Sequence, residues 1–391
     1  MIAFEEALHK VLSSAKLLTI ESVPLQSALN RVLALDVFSD MDMPPFNKSA
    51  VDGYACRKED LLETLSVIEV IKAGKSPSKS VQPGQCSKIM TGAMLPEGAD
   101  LVMMVEDTVE DSTGFIRFNG LKSAVNICFK AEDLHEEDKV LDKGTLIKPS
   151  HIAVLASVGC AELLVYRQPV VAVLSTGDEL VEPNQIPGLS QIRNTNAAQL
   201  IAQIENINAV SFYPGIVPDD EEVTRKAIEH ALSKADVVLL TGGVSMGDFD
   251  FVPRILKEQQ VEIIFSTIAV QPGKPTVFGY RNGKYVFGLP GNPVSSFVQF
   301  EMLVKPLLYA LSGHEYHPLQ LKLPLAKDYS RRSGERRAFI PITIQQTGEV
   351  TPVEYHGSAH IQAYAYADGV MSVPTGITQI KKGDLVDVRP L

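Results

Sequence analysis

Between about residues 169 and 312, short apolar runs of β-branched residues alternate with stretches whose apolar positions recur at helical spacing. The runs Val170–Leu174 and Val237–Leu240 have the pattern of strands buried on both faces of a parallel sheet. Helical spacing follows the first of them, over Thr195–Ile204. The alternation predicts an α/β domain over residues 169–314, with a doubly wound, mostly parallel sheet.

The pattern changes on either side of this domain. Residues 43–140 alternate short β-like runs with turns, which predicts a β-rich inserted domain. Residues 315–391 return to β alternation and predict a C-terminal β domain of barrel-like form. The remaining segments, 1–42 and 141–168, are interpreted as a helical linker region with packing or interface elements, in which Ser27 is predicted to begin a short helix. The expected fold is α/β plus β, in a multidomain chain.

Composition and charge exclude several classes of protein. Of the 391 residues, 36 are Lys or Arg and 47 are Asp or Glu, and the net charge of −11 argues against a nucleic-acid binder. No apolar run of about 18 residues predicts a membrane span, and the start of the chain lacks the layout of a signal peptide, so a cytoplasmic protein is expected. The four cysteines form no CxxC pair, which favours buried free thiols over a zinc or redox site.

Three strand-to-helix turns of the α/β domain contain glycine, at residues 175–179, 241–247 and 288–293. Ligands of open α/β sheets bind outside the carboxyl ends of the strands, where such turns lie. The pair Gly242-Gly243 lets the backbone turn sharply and expose N–H groups that suit a phosphate. A carboxylate that follows, such as Asp250, suits a divalent cation. On this stretch alone, an ordinary strand-to-helix loop with solvated acids is the favoured interpretation.

Two positions add to the anion-binding character of this region. Asn292 as N-cap with Pro293 at the first helical position is a strong helix start, and the N–H groups of such a start form an anion site. Lys274 supplies a cation that the net charge otherwise lacks there. No GxGxxG follows the first strand and no Walker A lysine motif is present, so dinucleotide and P-loop interpretations have little support.

The segment Met43–Cys56 has neither helical nor strand periodicity and contains a lone carboxylate, Asp52. Such a segment is typical of a site loop. A turn in which Asp52 caps its own backbone is the alternative, and the segment alone slightly favours it.

Two other polar features also have ordinary explanations. Asp219 or Asp220 is predicted to start the next helix, and Asp219 and Glu222 have the spacing of a capping box, which is sufficient to explain Asp219. The C-terminal β domain contains one basic patch, which suits an anion but is more commonly a solvated surface; its members are Arg331, Arg332, Arg336 and Arg337.

Eight segments, in order along nearly the whole chain, resemble the MoeA family of molybdopterin molybdenumtransferases, which includes the corresponding domain of gephyrin. They are PPFNKSAVDGYA at 44–55, IMTGAMLPEGADLVMMVED at 89–107, STGDEL at 175–180, RNTN at 193–196, TGGVSMGDFDF at 241–251, QPGKPTVFG at 271–279, GLPGNPVSS at 288–296 and HGSAHIQAY at 356–364.

The resemblance implies the last step of molybdenum-cofactor synthesis, in which molybdate enters the dithiolene of adenylylated molybdopterin and AMP is released. It also implies an elongated homodimer with four domains per chain, in which residues 1–42 and 141–168 form the dimerisation region, and a divalent cation, usually Mg²⁺. The active cleft of such proteins lies between the α/β domain of one subunit and the β-rich insertion of the other. Transient contacts with the molybdopterin adenylyltransferase and with acceptor molybdoenzymes are implied as well.

The site residues of the family are carried over position by position. The resemblance implies catalytic roles for Asp52, Thr91, Asp133, Glu179, Asp219, Asp250 and Lys274. It implies substrate binding by Thr241, Gly242, Gly243, Ser245, Pro290, Asn292, Pro293, Arg336 and Ser358. Glu179 and Asp250 are the expected metal ligands. Asp219 is uncertain by one residue, because Asp220 is adjacent.

The chain departs from the family pattern in three places. Cys128-Phe129-Lys130-Ala131 stands where arginines and a glycine are usual before the second site acid, which leaves Lys130 as the remaining cation. Pro341 replaces a common arginine, and Gln271 replaces a lysine found in some members. The alternatives to a transferase are a non-catalytic molybdopterin-binding scaffold and the related adenylyltransferase, and the sequence does not distinguish molybdate from tungstate.

Overall fold

A computed structural model of the chain describes residues 1–243, 252–354, 357 and 359–391. The helices are α1 (Phe4–Ser13), α2 (Pro149–Ser157), α3 (Thr195–Asn206), α4 (Glu221–Lys234), α5 (Val252–Glu258), α6 (Pro293–Gln299) and α7 (Lys305–Leu311). The first eleven strands are β1 (Ile20–Pro24), β2 (Val37–Phe38), β3 (Lys48–Ser49), β4 (Gly53–Cys56), β5 (Thr64–Ile71), β6 (Gln85–Ile89), β7 (Leu101–Met104), β8 (Thr108–Ser112), β9 (Phe115–Phe118), β10 (Ile127–Cys128) and β11 (Lys139–Leu141).

The second part of the chain contains the remaining strands. They are β12 (Glu162–Tyr166), β13 (Val170–Thr176), β14 (Leu180–Val181), β15 (Ile192–Arg193), β16 (Val210–Phe212), β17 (Ile216–Val217), β18 (Val237–Thr241), β19 (Glu262–Phe265), β20 (Val270–Gln271), β21 (Val277–Arg281) and β22 (Lys284–Leu289). The C-terminal strands are β23 (Leu321–Pro324), β24 (Tyr329–Ser330), β25 (Arg337–Ile344), β26 (Val350–Pro352), β27 (Gly369–Val373), β28 (Gln379–Ile380) and β29 (Leu385–Pro390).

The chain divides into two compact units. The first, unit 1, consists of Met1–Ala34, Gly144–Lys148 and Leu163–Leu391; the second, unit 2, consists of Leu35–Lys143 and Pro149–Glu162. Unit 2 is built on a six-stranded sheet in the order β7-β4-β6-β5-β9-β8. Its strands are largely antiparallel, and only β5 and β6 run parallel.

The main sheet of unit 1 has the order β16-β13-β18-β22-β21-β19, and β17 also pairs with β13. Strands β16, β13, β18 and β22 run parallel to one another. Strand β21 runs antiparallel to β22, and β19 runs antiparallel to β21. Helices cover both faces of this sheet. Val171 and Leu239 pack on one side with residues of α1, α3, α6 and α7, while Ala172 and Leu240 pack on the other with residues of α4 and α5. The doubly wound, mostly parallel arrangement is confirmed.

The C-terminal sheet has the order β20-β25-β27-β29-β23, with β26 also paired to β25. Its first strand, β20, lies in the α/β region and runs parallel to β25, so the two parts of unit 1 share one sheet. Among the described residues, an isolated bridge between Leu325 and Val350 joins the segment after β23 to β26.

Two local predictions differ from the structure. Ser27 does not begin a helix: Leu25–Ser27 is a single 3₁₀ turn, and Val32 and Leu33 instead form β-bridges with Leu146 and Val165. These long-range bridges replace the helical bonds that the local spacing indicated. The sequence also predicts one helix from Pro293 to about Ser312, whereas the structure has a π-helical segment, Phe300–Val304, between α6 and α7.

Within the described residues, Pro293–Leu311 is the stretch with the length and apolar character of a membrane span. It is 78% buried inside the protein, which is the property of a core helix. All four cysteines are free; Cys56 and Cys86 are buried, as predicted, whereas Cys128 and Cys160 are partly exposed, contrary to the prediction. Burial raises the pKa of Cys56 and Cys86 to about 12.

A buried ion pair fixes the start of β18. Asp236, which is 6% exposed, accepts two hydrogen bonds of 2.7 Å from the Arg167 guanidinium and one of 2.9 Å from the Val170 N–H. Burial opposes ionisation of Asp236, but the hydrogen bonds and the Arg167 charge outweigh it and lower its pKa.

We expect Asp236→Asn to lower the free energy of unfolding by about 3 kcal/mol at pH 7, because it leaves the Arg167 charge without its partner. The lowered pKa makes this contribution complete above the unfolded value of about 3.9, and it is lost as the pH falls through the folded pKa. Urea unfolding at pH 7 and at pH 3 measures both effects. Asp387→Asn, which removes an exposed pair with Lys322, is the control and should change stability by less than about 1 kcal/mol. An equal loss from both variants would contradict the assignment.

Candidate active site

The glycine turns predicted from the sequence lie at one edge of the main sheet. Because β13, β18 and β22 are parallel neighbours, their carboxyl ends lie side by side, with Ser175 opposite Thr241 and Thr241 opposite Leu289. The chain after each of these strands therefore begins at the same edge of the sheet.

The turn after β18 requires glycine at its first position. Gly242 has φ of +87°, and a Cβ built on it would lie 2.5 Å from the carbonyl oxygen of Thr176 at the end of β13. Gly243 also has a positive φ, of +61°. Gly291, after β22, lies so near that its Cβ position is 3.8 Å from the Gly242 Cα. The two turns are thus adjacent, and their backbones are accessible to a ligand at short range.

Asn196 links these turns to α3, a connection that the sequence analysis missed. Its side-chain amide donates a 2.7 Å hydrogen bond to the Gly291 carbonyl, and its carbonyl oxygen accepts one of 3.3 Å from the Ser296 hydroxyl. Asn194 caps α3 by accepting from the Ala197 N–H at 3.1 Å. The only sequence signal for this link was the RNTN segment, to which no role was assigned.

The predicted helix start after β22 is confirmed. Pro290 is buried behind the turn, Asn292 is the N-cap, and Pro293 occupies the first helical position of α6. The first N–H groups of a helix lack intrahelical partners and suit an anion. α6 therefore begins beside the two glycine turns with the electrostatic character that the sequence predicted.

Glu179 and Asp219 are brought to the same edge through Asp178. The Asp219 N–H donates a 3.1 Å hydrogen bond to the Asp178 carboxylate, and the Gly177 N–H donates to the Val217 carbonyl at 3.2 Å. The Glu179 carboxylate folds back over Gly177, where a Cβ would lie 2.4 Å from its Oε2. Both acids are exposed.

The helix cap at the start of α4 is Asp220 rather than Asp219. Asp220 accepts hydrogen bonds from the N–H groups of Glu222 and Val223 at 3.0 and 2.9 Å. The predicted capping box from Asp219 is therefore wrong by one residue. The physical reason is that the Asp219 N–H is engaged by Asp178, which shifts the first turn of the helix. Asp219 therefore does not serve as the cap of α4.

Lys274 lies on a loop that is hydrogen-bonded to α6. The Gln299 side-chain amide, fully buried, donates a 3.0 Å hydrogen bond to the Pro272 carbonyl, and a Cβ on Gly273 would lie 2.3 Å from that amide nitrogen. The Thr276 hydroxyl donates to the Gly273 carbonyl at 2.7 Å. The backbone that holds Lys274 is thus fixed, while its side chain is exposed.

Arg336 adjoins this loop through the strand pair β20–β25. The Arg336 guanidinium donates to the Val270 carbonyl at 3.4 Å, and Val270 pairs with Arg337. A cleft of about 910 Å³ opens beside it, lined among others by Gln271 and Arg332. Arg331, by contrast, donates hydrogen bonds to the backbone carbonyls of Arg336, Pro374 and Ile377. It therefore stabilises the local backbone of the C-terminal domain.

In unit 2, Asp52 and Thr91 form a hydrogen-bonded pair. The Asp52 carboxylate accepts a 2.6 Å hydrogen bond from the Thr91 N–H and one of 2.8 Å from its hydroxyl. These bonds lower the pKa of Asp52, with the backbone N–H as the larger cause. Both side chains are exposed. The alternative, in which Asp52 caps its own turn, is wrong, because its partner lies 39 residues away.

Asp133 lies on another loop of unit 2 and does not join the Asp52–Thr91 pair within the described residues. Its N–H donates to the Met43 carbonyl at 3.0 Å. In the preceding loop, which departs from the family pattern, Lys130 forms a 2.9 Å ion pair with Asp42. Ala131 there has φ of +62°, a conformation that favours glycine, the residue usual in the family.

Three predicted site residues, Ser245, Asp250 and Ser358, lie outside the described residues. Among the part of the chain that the structure describes, no group of three or more His, Cys, Asp or Glu side chains forms a metal site. Among the described residues, Glu179 is the exposed carboxylate that the sequence predicted as a metal ligand. It fits a Mg²⁺ ion, because Mg²⁺ is typically held by one or two carboxylates and completed by water and substrate phosphates.

Three family models match the chain in succession. Residues 2–159 match the MoeA N-terminal region (domain I and II), residues 172–310 match the "Probable molybdopterin binding domain", and residues 322–391 match the MoeA C-terminal region (domain IV). A protein of Staphylococcus aureus named molybdopterin molybdenumtransferase is 35% identical over 398 aligned positions, which cover 99% of this chain and 95% of the relative. This chain belongs to the MoeA family. A Staphylococcus epidermidis relative of the same name is 34% identical with the same coverage.

Solved structures of MoeA proteins have the same fold as this MoeA chain. A molybdopterin biosynthesis MoeA protein from Pyrococcus horikoshii superposes with a TM-score of 0.86 at 29% identity, over all of both chains. A second structure, titled as the MoeA protein of the same species, gives a TM-score of 0.83 at 32% identity and covers 100% of this chain and 99% of that one. The multidomain MoeA fold, with its α/β molybdopterin-binding domain, is thereby confirmed.

Proposed function

We propose that this protein is a molybdopterin molybdenumtransferase, which inserts molybdate into adenylylated molybdopterin and releases AMP. The observation that carries the proposal is the full-length match to relatives of that name, in a chain whose three glycine-containing turns follow neighbouring parallel strands of one sheet. The Asp52–Thr91 pair supplies a further oriented carboxylate.

The anionic part of the substrate is assigned to the turns after β18 and β22. A pterin phosphate linked to AMP carries several negative charges, and the chain itself has a net charge of −11. Backbone N–H groups of Thr241, Gly242 and Gly243 and of the start of α6 attract such a group without any charged side chain. Ser245 extends this site in the proposal.

Glu179 and Asp250 are assigned to Mg²⁺ in the proposal. When bound, the ion neutralises the negative charge that develops as the phosphate link to AMP breaks. Asp219, which does not cap α4, lies on the turn next to the loop that contains Glu179. In the proposal, the hydrogen bond from its N–H to the Asp178 carboxylate orients this turn relative to that loop.

Molybdate is assigned to the edge where Lys274 and Arg336 approach, together with Ser358. A divalent oxyanion accepts hydrogen bonds from ammonium, guanidinium and hydroxyl groups. The same chemistry admits tungstate, so a direct comparison of the two oxyanions belongs in the test. Gln271 lines the neighbouring cleft and replaces a cation that some family members have.

Asp52 is assigned to orientation rather than proton abstraction. Its pKa is lowered, and a carboxylate whose pKa lies far below the working pH is a weak general base. It remains ionised and holds a fixed direction through its two bonds from Thr91. Asp133 is proposed as a second acid of unit 2.

We further propose a cytoplasmic homodimer that meets the adenylyltransferase and acceptor molybdoenzymes transiently. Support for a protein interface comes from large apolar side chains between β14 and β15, where Ile186 is 91% exposed and Leu189 fully exposed. Light scattering coupled to size-exclusion chromatography tests the dimer; a monomer across the micromolar range would contradict it.

The experiment that tests the function is activation of a purified apo-molybdoenzyme. The protein, adenylylated molybdopterin, Mg²⁺ and molybdate are combined, and acceptor activity is expected only when all four are present. A parallel reaction with tungstate measures oxyanion choice. Tight nucleotide binding without activation would instead support a molybdopterin-binding scaffold.

A further inference from the structure

One hydroxyl at the candidate site has no hydrogen-bond partner in the described part of the protein. Thr176 is the last residue of β13 and is only 6% exposed, yet its Oγ1 is buried and unpaired. Buried hydroxyls in folded proteins are nearly always hydrogen-bonded, so an unpaired one at a strand end calls for an explanation. Neighbouring hydroxyls do not share this state, since Thr241 donates to Ser175 at 3.1 Å.

The unpaired hydroxyl adjoins the double-glycine turn. A Cβ built on Gly242 would lie 2.9 Å from the Thr176 Oγ1, and a Cβ built on Gly243 would lie 3.2 Å from it. A side chain on either glycine would therefore crowd this hydroxyl, so only glycine backbone lies beside it. The hydroxyl stands next to the backbone N–H groups that the proposed function assigns to the phosphate.

We propose that Thr176 is a substrate-binding residue whose hydroxyl donates a hydrogen bond to a phosphate oxygen held at the Gly242-Gly243 turn. The inference rests on the proposed function and adds a residue to its anion site. A hydroxyl donor suits this place, because it stabilises an anion without adding a charge and is preorganised by burial at the end of a rigid strand. The desolvation of the hydroxyl is then offset only when the ligand is bound.

If Thr176 has this role, removal of its hydroxyl should affect the stability of the free protein and the affinity for the substrate in opposite directions. Thr176→Val removes the unpaired hydroxyl and keeps the shape, so the free protein should be as stable as the wild type or more stable. The same variant should bind adenylylated molybdopterin about tenfold more weakly, because a hydrogen bond to a charged group is lost. A purely structural threonine would lower stability and leave affinity unchanged.

The test measures thermal unfolding of the ligand-free protein and the Kd for adenylylated molybdopterin, by calorimetry, in the full-length wild type and three variants. Thr176→Ser retains the hydroxyl and should restore the wild-type Kd. Ser87→Ala is the matched control, since Ser87 Oγ in β6 is also buried and unpaired but belongs to unit 2. It should leave Tm unchanged or raised and the Kd unaffected.

Two results would overturn the inference while leaving the proposed function intact: wild-type affinity in Thr176→Val, or a Tm lower by several degrees in that variant. A wild-type protein that does not bind adenylylated molybdopterin would instead overturn the proposed function, and with it the role of Thr176.

Discussion

Asp52→Asn is expected to lower kcat for molybdate-dependent AMP release about 100- to 1,000-fold, with little change in the KM for the nucleotide. Asparagine keeps the size and one acceptor oxygen but removes the negative charge that the two Thr91 bonds hold in place. Loss of one preorganised electrostatic group in an active site typically costs a factor of this size. Steady-state kinetics of AMP formation with saturating Mg²⁺ measure it.

The matched control for Asp52 is Glu69→Gln. Glu69 lies in the same unit and also accepts from one residue's backbone N–H and hydroxyl, those of Ser78, at 3.1 and 2.7 Å. It has no assigned role, so kcat should stay within a factor of about two of the wild type.

Thr91→Val, which leaves the backbone bond in place, should raise the pKa of Asp52 and reduce kcat less, about tenfold. Unimpaired AMP release by Asp52→Asn would contradict the assigned role.

Gly53→Ala is expected to lower the free energy of unfolding by at least about 3 kcal/mol, or to prevent folding of unit 2. A Cβ at this position would lie 1.8 Å from the Met103 carbonyl oxygen and 2.9 Å from its carbon, both backbone atoms of the neighbouring strand β7. Neither atom can move without breaking the sheet pairing. Because Gly53 follows Asp52 directly, the close approach of Gly53 to Met103 also holds the backbone beside Asp52 in place.

Urea unfolding with a probe in unit 2 measures this loss. Gly188→Ala is the control: its Cβ would approach only the flexible Gln191 side chain, at 3.2 Å, so stability should change by less than about 0.5 kcal/mol. A stable Gly53→Ala protein with the wild-type unfolding midpoint would show that β4 and β7 are not packed as described.

The glycine-containing turns at the carboxyl ends of the parallel strands could be predicted from the sequence because the signals for them are local. A buried apolar run, two glycines and a Pro at the first helical position each have one usual structural meaning, and parallel strands then align their ends. This is why Gly242 and Pro293 lie where the motif pattern placed them.

The positions that sequence reasoning missed depend on contacts between distant residues. Asp219 and Asp220 are equivalent as caps by spacing, and the Asp178 hydrogen bond decides between them. Val32 and Leu33 have helical spacing, yet bridges to Leu146 and Val165 place them in extended pairs. The contacts of Asn196 with Gly291 and of Thr176 with Gly242 join residues far apart in the chain, which no local pattern encodes.

The central claim is tested most directly by AMP release from adenylylated molybdopterin by the purified protein with Mg²⁺, with and without molybdate. The account predicts that molybdate strongly stimulates release in the wild type and that Asp52→Asn abolishes most of this stimulation. Nucleotide binding with no molybdate-dependent release would contradict it and would leave the protein a binder of molybdopterin.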